Sequence, residues 1–324
     1  RYGLHISRQN MANWTIQCAD RYLAVLYDYL HEKMYHYHVL QADETPVLVN
    51  KDGRSAGSKS FMWVYRTGRM YTDRQIVLYE YQKTRNASHP REFLKDFKGI
   101  CVTDGYQVYH TIENEREDLK ISGCWSHARR RFDEAVKALP KAARNGSRAY
   151  LALSMIQAIC REEKLLKELP SEERKLRRQL SVRPLVEAYF TWAKETIRKV
   201  PQKSKTWEGF QYSMNQEKYL KVFLDDGEVP MDNNAAEQSI RGFCIGKKNW
   251  VMIDTVAGAK SSAIIYSIAE TAKANNLKPY DYFEHLLSEI PKHLDDTDRS
   301  FLDDLLPWSP KLPANCRKTG KEVK

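Results

Sequence analysis

The sequence has few cysteines, and they lie far apart. Six are scattered over 324 residues: Cys18, Cys101, Cys124, Cys160, Cys244 and Cys316. Their spacing indicates neither a disulfide scaffold nor a CxxC zinc site. No apolar run approaches the ~20 residues of a membrane-spanning helix, and no signal-peptide pattern is present. These absences favour a protein of a reducing cytoplasm.

Charge, in contrast, is abundant and unevenly placed. The net charge is +10, and residues 121–224 alone contain 22 Lys and Arg against 11 Asp and Glu. A positive field of this kind attracts a polyanion such as nucleic acid, whereas a solvated helical face has the same composition. Within this region we single out four basic residues as a candidate phosphate-binding face: Arg174, Lys175, Arg177 and Arg178.

The hydrophobic periodicity changes twice along the chain. Residues 7–37 have apolar positions near helical spacing, with Ser7 as a candidate N-cap. Short β-like runs follow, and the predicted strands are 38–43, 60–67, 75–81, 99–104 and 119–125. A hairpin turn is predicted at 51–57 and a helix at 91–97. Residues 127–224 are helical in pattern throughout, punctuated by prolines.

This alternation predicts an α/β fold in which an all-helical block interrupts a mixed-sheet core. We divide the chain into five segments on this basis. They are an N-terminal helical segment at 1–38, a first core part at 39–126, a basic helical insertion at 127–228, a second core part at 229–275 and a C-terminal element at 276–324.

Three carboxylates stand at positions suited to a metal site. Asp43 and Asp104 each end a predicted strand, and Glu237 follows a capping cluster at 232–234, so it would project from the first turns of a helix. Taken singly, a strand-end aspartate commonly forms a turn and a helical glutamate is commonly solvated. Carboxylates at adjacent strand ends repel each other unless a cation neutralises them, and Mg²⁺ is the natural partner.

Four ordered motifs carry a resemblance to a known family. They are "LQADETPVLV", "VTDGYQVYH", "GCWSHARRRFDEA" and "DNNAAEQSIRGFCIGKKNW", and together they resemble the bacterial insertion-sequence-66 family of DDE transposases from about Tyr2 to the "LLPW" at 305–308. The resemblance implies a ribonuclease-H-like core with Asp43, Asp104 and Glu237 as its metal-binding triad. The last two are 133 residues apart, a gap too long for a compact core that the helical insertion explains.

The resemblance also implies an activity and its partners. We expect a Mg²⁺-dependent polynucleotidyl transferase with two ions, for which Mn²⁺ can substitute, acting on double-stranded DNA of transposon ends and target. A homodimer assembled on DNA and a location in the bacterial cytoplasm, associated with the nucleoid, follow from the same resemblance. Family members usually carry an N-terminal zinc-finger and zipper region that this chain lacks, so we expect end recognition to need more than this chain. A nuclease or resolvase without strand transfer, or a non-catalytic DNA-binding relic, would share the motifs.

Seven residues are candidate DNA contacts: His127, Arg129, Arg130, Arg241, Lys247, Lys248 and Trp250. Cys124 and His127 have the spacing of half a zinc site, but no second pair stands at ligand spacing, so a structural or DNA-positioning role or a core-packed histidine is favoured. Trp250 either packs in the core or stacks on an unpaired base. Gly246 predicts a turn that carries the two lysines out of the helix toward flanking phosphates.

Overall fold

The computed structural model describes residues 5–55 and 57–318. The chain divides into two compact units, the first formed by Arg1–Lys98 with Ala236–Lys324 and the second by Gly99–Ala235. Among the described residues, no helix combines the length and the apolar character that a bilayer crossing requires.

The N-terminal residues of the first unit are helical, as the periodicity predicts. Helix α1 (Arg8–Cys18) continues through a π turn (Ala19–Leu23) into α2 (Ala24–Met34). Ser7 caps α1 by accepting a hydrogen bond from the Asn10 backbone amide at 3.1 Å, so the predicted cap is confirmed. The inward face of α2 presents Leu26, Leu30 and Met34 to the core.

Three antiparallel strands form the sheet of the first unit. They are β1 (Val39–Lys51), β2 (Lys59–Thr67) and β3 (Val77–Gln82). In this ladder Asp43 lies opposite Val64, and Val64 lies opposite Tyr79. The predicted hairpin joins β1 to β2, with Gly53 and Gly57 at positive φ. A short α3 (Ser88–Phe93) follows β3 and replaces the longer helix predicted at 91–97.

The C-terminal part of the first unit packs helices against this sheet. Helix α11 (Asn234–Trp250) leads into strand β6 (Ile253–Thr255), which pairs in parallel with the end of β1. The remaining helices are α12 (Val256–Ala274), α13 (Pro279–Glu289) and α14 (Phe301–Leu305), with 3-10 turns at Ile290–His293 and Ala314–Cys316. Alternate residues of β1 to β3 form one apolar core with the inner faces of α11 and α12.

Helix α12 covers the backbone of β3 with side chains at helical spacing. The Ser267 hydroxyl accepts a hydrogen bond from the Tyr79 amide at 2.7 Å, and the Thr271 hydroxyl accepts one from the Val77 amide at 3.0 Å. One turn further, the Asn275 side chain accepts a hydrogen bond from the Gln75 amide and donates one to the Gln75 carbonyl. These contacts occupy backbone groups that an edge strand would otherwise expose.

The second unit starts with a βαβ arrangement and continues as helices. Strands β4 (Gly99–Val102) and β5 (Leu119–Ser122) are parallel and are joined by α4 (Gln107–Asn114). The helices that follow are α5 (Trp125–Ala138), α6 (Lys141–Arg144), α7 (Arg148–Leu165), α8 (Ser171–Arg177), α9 (Arg183–Thr196) and α10 (Lys205–Leu220), with a π turn at Arg178–Val182 and 3-10 turns at Ile197–Lys199 and Val222–Asp225. Trp125 packs edge-on against three aromatic rings of this unit, those of Tyr189, Phe190 and Phe223.

The predicted fold class is confirmed. The chain is an α/β protein with antiparallel strand pairs and a short parallel pair in its first unit and a parallel pair in its second. From α5 to α10 the described chain is helical, as predicted for residues 127–224. This content is consistent with a ribonuclease-H-like core interrupted by a helical block.

Candidate active site

Asp43 lies within a long strand and not at its end. The predicted strand at 38–43 is wrong at its C-terminal boundary, because β1 runs on through Pro46 to Lys51. An antiparallel ladder uses the amides of alternate residues, so a proline can be accommodated, and the β-branched valines after it favour a strand. Asp43 is partly buried, and its Oδ1 accepts the Glu44 amide at 2.9 Å.

The neighbouring Glu44 has a different role from Asp43. Its side chain points to the other face of β1, since side chains alternate along a strand, and it is 2 % exposed. The Arg85 guanidinium binds it, with Nε 2.6 Å from Oε1. This pair makes Glu44 a structural carboxylate of the sheet.

Glu237 projects from the first turn of α11, as predicted. The helix begins at Asn234, whose amide donates to Asp232 Oδ1 at 3.0 Å. Two residues beyond Glu237, the Ser239 carbonyl accepts the Tyr79 hydroxyl at 2.7 Å, which fixes this turn over the sheet. Glu237 itself is partly buried.

The carboxylates of Asp43 and Glu237 belong to surfaces of β1 and α11 that face each other. Asp43 and Thr45 share one side of the strand because its side chains alternate. Glu237 and Cys244 share one face of the helix because seven residues make about two turns. The Thr45 hydroxyl lies 3.5 Å from the Cys244 sulfur, so these are the two faces that meet.

Asp104 follows β4 in the second unit. The strand ends at Val102, so the predicted strand at 99–104 is two residues too long and Asp104 lies in the loop just beyond it. Asp104 Oδ1 accepts the Tyr106 amide at 2.9 Å, which closes a turn before α4. The side chain is partly buried and held in a defined direction by its own loop.

Two residues that sequence reasoning missed hold this loop. The Tyr212 hydroxyl on α10 donates to the Asp104 carbonyl at 2.8 Å, and the Gln216 Nε2 lies 3.5 Å from the Gly105 carbonyl. Both are more than 100 residues from Asp104 along the chain. No local motif signals such a contact, because an aromatic residue at helical spacing indicates only core packing.

The Cys124 and His127 pair lies at the start of α5. Cys124 is buried, and its sulfur accepts the Asn233 amide at 3.1 Å. His127 Nε2 lies 3.4 Å from a guanidinium nitrogen of Arg130, and Arg129 is exposed beside it. The structural role expected of the cysteine is thus supported by a backbone contact, while the DNA contacts of the three basic residues stay predictions.

The predicted turn at Gly246 is wrong, because α11 continues to Trp250. A side chain at Gly246 would collide with the Tyr266 hydroxyl, so this glycine serves close helix packing. Lys247 therefore remains in the helix, and its Nζ donates to the Pro46 carbonyl at 2.7 Å. Lys248 is exposed.

Arg241 and Trp250 differ in exposure. Arg241 is exposed one turn beyond Glu237. Trp250 packs edge-on against Phe243, with ring centroids 5.5 Å apart, and joins the apolar core of the first unit. The core-packing alternative for Trp250 is therefore confirmed in place of base stacking, and a DNA contact by Arg241 stays a prediction.

Half of the candidate phosphate-binding run is buried, which corrects its interpretation. Arg174 and Arg178 are 5 % and 1 % exposed. Arg174 donates to backbone carbonyls, among them that of Gly227 at 3.1 Å. Arg178 pairs with Glu163, with Nε 2.9 Å from Oε2. The four residues therefore do not form one DNA-facing surface.

Comparison with known proteins places the chain in a family. The profile of the "Transposase IS66 family" matches residues 1–261, and that of the "IS66 C-terminal element" matches residues 267–308. In Sinorhizobium fredii (strain NBRC 101917 / NGR234), the uncharacterized protein y4qI is 28% identical over an alignment that covers 97% of this chain and 58% of that protein.

Two more uncharacterized proteins of the same strain are similar. The protein y4jD is 25% identical over 95% of this chain and 60% of its own length, and y4hP is 25% identical over 94% of this chain and 56% of its own length. The chain thus spans about three fifths of the length of these relatives. With a DDE domain and a C-terminal element that together cover most of its sequence, the chain belongs to the IS66 family of transposases.

Proposed function

We propose that this chain cleaves transposon-end DNA and joins it to target DNA, with Asp43, Asp104 and Glu237 acting together as ligands of divalent metal ions. The observation that carries the proposal is the placement of these carboxylates inside the DDE family match. Asp43 lies on β1, Asp104 follows β4, and Glu237 lies in the first turn of α11. This is the order that the triad of a ribonuclease-H-like core implies.

The donor set fits Mg²⁺. Carboxylate oxygens are the hard ligands that this ion prefers, and it keeps water and substrate phosphate at its other positions. Backbone amides hold one oxygen of Asp43 and one of Asp104, each at 2.9 Å. Such bonds orient a carboxylate before an ion binds. Two ions, with Mn²⁺ as a substitute, are part of the proposal.

In this proposal the residues of the chain bind the metal ions and orient the DNA, and the bound ions supply Lewis acidity. When bound, Mg²⁺ lowers the pKa of the attacking water and stabilises charge on the leaving 3′ oxygen. The three carboxylates neutralise the ions and do not transfer protons themselves. In cleavage, a water oxygen would bond to phosphorus while the P–O3′ bond breaks, and the water proton would pass through solvent to the leaving 3′ oxygen. In strand transfer, the released 3′-OH would attack a phosphodiester of the target and displace a target 3′ oxygen, which takes up the proton that the attacking hydroxyl loses.

Double-stranded DNA is the proposed partner, and two copies of the chain are proposed to assemble on it. Arg241 supports this because it is exposed one turn beyond Glu237, where a cation can hold a phosphate of the scissile strand. Arg129 and Lys248 are exposed as well. Contacts of this kind position the duplex without reading its sequence.

The test uses duplex DNA carrying the element's own ends and three variants, Asp43→Asn, Asp104→Asn and Glu237→Gln. We expect each variant to lose cleavage by several orders of magnitude, because each lacks a charged ligand. Mn²⁺ binding measured by calorimetry should weaken in all three. DNA affinity in the absence of metal should stay near that of the unmodified chain.

Glu134→Gln is the matched control, because Glu134 is an exposed carboxylate on α5. It should leave cleavage and metal binding unchanged. Substantial Mg²⁺-dependent cleavage by Glu237→Gln would remove this residue from the site and direct attention to Asp232. If hydrolysed ends never join target DNA, even when a 3′-OH donor is supplied, the chain is a nuclease without strand-transfer activity.

A further inference from the structure

The loop that carries Asp104 is supported from one side by helix α10. The phenol of Tyr212 donates a hydrogen bond to the Asp104 carbonyl at 2.8 Å. One turn further along α10, the buried Gln216 places its amide nitrogen 3.5 Å from the Gly105 carbonyl. Two consecutive carbonyls of the loop therefore face donors on one helix.

The backbone at Gly105 allows this close approach. Its φ is +91°, a conformation that L side chains rarely adopt. A Cβ there would meet Gln216 Oε1 at 3.0 Å and the Tyr212 hydroxyl at 3.1 Å. The loop and α10 are thus fitted to each other with no space for a side chain between them.

Tyr212 is itself held in place and remains a donor. The Arg131 guanidinium of α5 lies over its ring, 4.4 Å from the centroid, which is a cation–π geometry. A phenol keeps its proton at neutral pH, since its ordinary pKa is about 10. A phenol without a proton could not donate to a carbonyl.

We infer that Tyr212 is a positioning residue for Asp104: its hydroxyl fixes the loop backbone so that the carboxylate is oriented before metal binds. Gln216 and Gly105 complete the support, and Arg131 fixes the ring. This inference rests on the proposed function for the role of Asp104. It assigns to the helical insertion a direct part in arranging a catalytic carboxylate, in addition to any contact with DNA.

The first experiment measures the loop itself. Tyr212→Phe removes the hydroxyl and keeps the ring, and amide hydrogen exchange at Tyr106 reports the turn because that amide donates to Asp104 Oδ1. In metal-free protein we expect this exchange to accelerate, by up to about tenfold for one lost hydrogen bond. Tyr189→Phe is the control, since its phenol bonds Ser213 at 2.7 Å, also within the second unit.

The second experiment measures cleavage with the same two variants. For Tyr212→Phe, kcat should fall by up to about tenfold and the Mg²⁺ concentration for half-maximal rate should rise, while KM for DNA stays unchanged. Tyr189→Phe should lose about as much thermal stability as Tyr212→Phe. Its kcat and its Mg²⁺ concentration for half-maximal rate should stay unchanged. Equal changes in both variants, or unchanged Tyr106 exchange in Tyr212→Phe, would overturn the inference.

Failure of the proposed function would look different. In that case Asp104→Asn would cleave DNA normally, whatever Tyr212→Phe did to hydrogen exchange. If Asp104→Asn is inactive and Tyr212→Phe leaves exchange, kcat and Mg²⁺ dependence intact, only the positioning role is overturned.

Discussion

A shielded carboxylate on β3 has a raised pKa, and burial is the largest cause. Glu80 is mostly shielded from water, and burial raises its pKa to about 7. Gln82 Nε2 donates to its Oε1 at 2.9 Å, while Oε2 has no hydrogen-bond partner among the described residues. The folded chain therefore keeps a proton here that the unfolded chain releases at lower pH.

The sign of the resulting pH dependence follows from linkage. Between the unfolded pKa near 4.5 and the folded pKa near 7, the folded state binds more protons than the unfolded state, so stability falls as pH rises through this window. The loss is on the order of 3 kcal/mol. It is absent below the window and complete above it.

Glu80→Gln should remove this pH dependence. We expect the variant to gain stability relative to the unmodified chain as pH rises from about 5 to about 8, because its amide cannot ionise. Urea unfolding at both pH values measures the difference. Glu117→Gln, a change at an exposed carboxylate of the second unit, should follow the unmodified chain. Parallel pH profiles for the chain and Glu80→Gln would contradict the assignment.

At the scale of elements, sequence patterns predict where helices and strands begin better than where they end. The start of α11 and the cap of α1 both depend on short polar side chains next to the first turn. The predicted end of β1 is wrong because a proline such as Pro46 usually indicates the end of a strand. The predicted end of α11 is wrong because a glycine usually indicates the end of a helix. Gly246 lies inside the helix, where the absence of a side chain allows close packing against Tyr266.

Contacts between distant residues account for the part of the site that sequence patterns do not predict. The carboxylates of the candidate triad stand in local motifs, so they can be singled out from the sequence. Tyr212 and Gln216 reach the Asp104 loop only once α10 has packed in the second unit. The burial of Arg178 cannot be predicted from the sequence either, since a basic run has the same composition whether its side chains face solvent or backbone carbonyls.

The π turn after α8 is predicted to depend on Arg178. Its guanidinium binds Glu163 and also donates to the carbonyls of Phe223 and Asp226, each at 2.6 Å. Arg178→Ala would leave the largely buried Glu163 without this partner, which typically costs about 3–5 kcal/mol. We expect a loss of that order in the free energy of unfolding, measured by urea denaturation.

The residue beside it supplies the control for this prediction. Arg177 is exposed and lies 3.9 Å from Glu173, a surface pair of little energetic weight. Arg177→Ala should change the free energy of unfolding by no more than about 0.5 kcal/mol. A similar loss in both variants would show that the buried network at Arg178 contributes no more than a surface pair.

For the molecule as a whole, the excess of positive charge still has to be tested as a DNA-binding surface. The excess lies in residues 121–224, but two arginines of the singled-out run are engaged inside the second unit. Lys175 and Arg177 are the members of that run that face solvent. If they contact phosphates, DNA affinity depends on salt through the counterions that they displace.

The expected result is a change in the salt dependence of binding. Each neutralised phosphate contributes about −0.9 to the slope of log affinity against log salt. The double variant Lys175→Glu with Arg177→Glu should therefore flatten the slope by about 2 on a duplex of arbitrary sequence without metal. The control reverses Lys292 and Lys311, two exposed lysines of the first unit, and changes the net charge by the same amount. Equal flattening in both variants would indicate a general effect of net charge. An unchanged slope in the Lys175 and Arg177 variant would show that these two side chains are solvated and contact no phosphate.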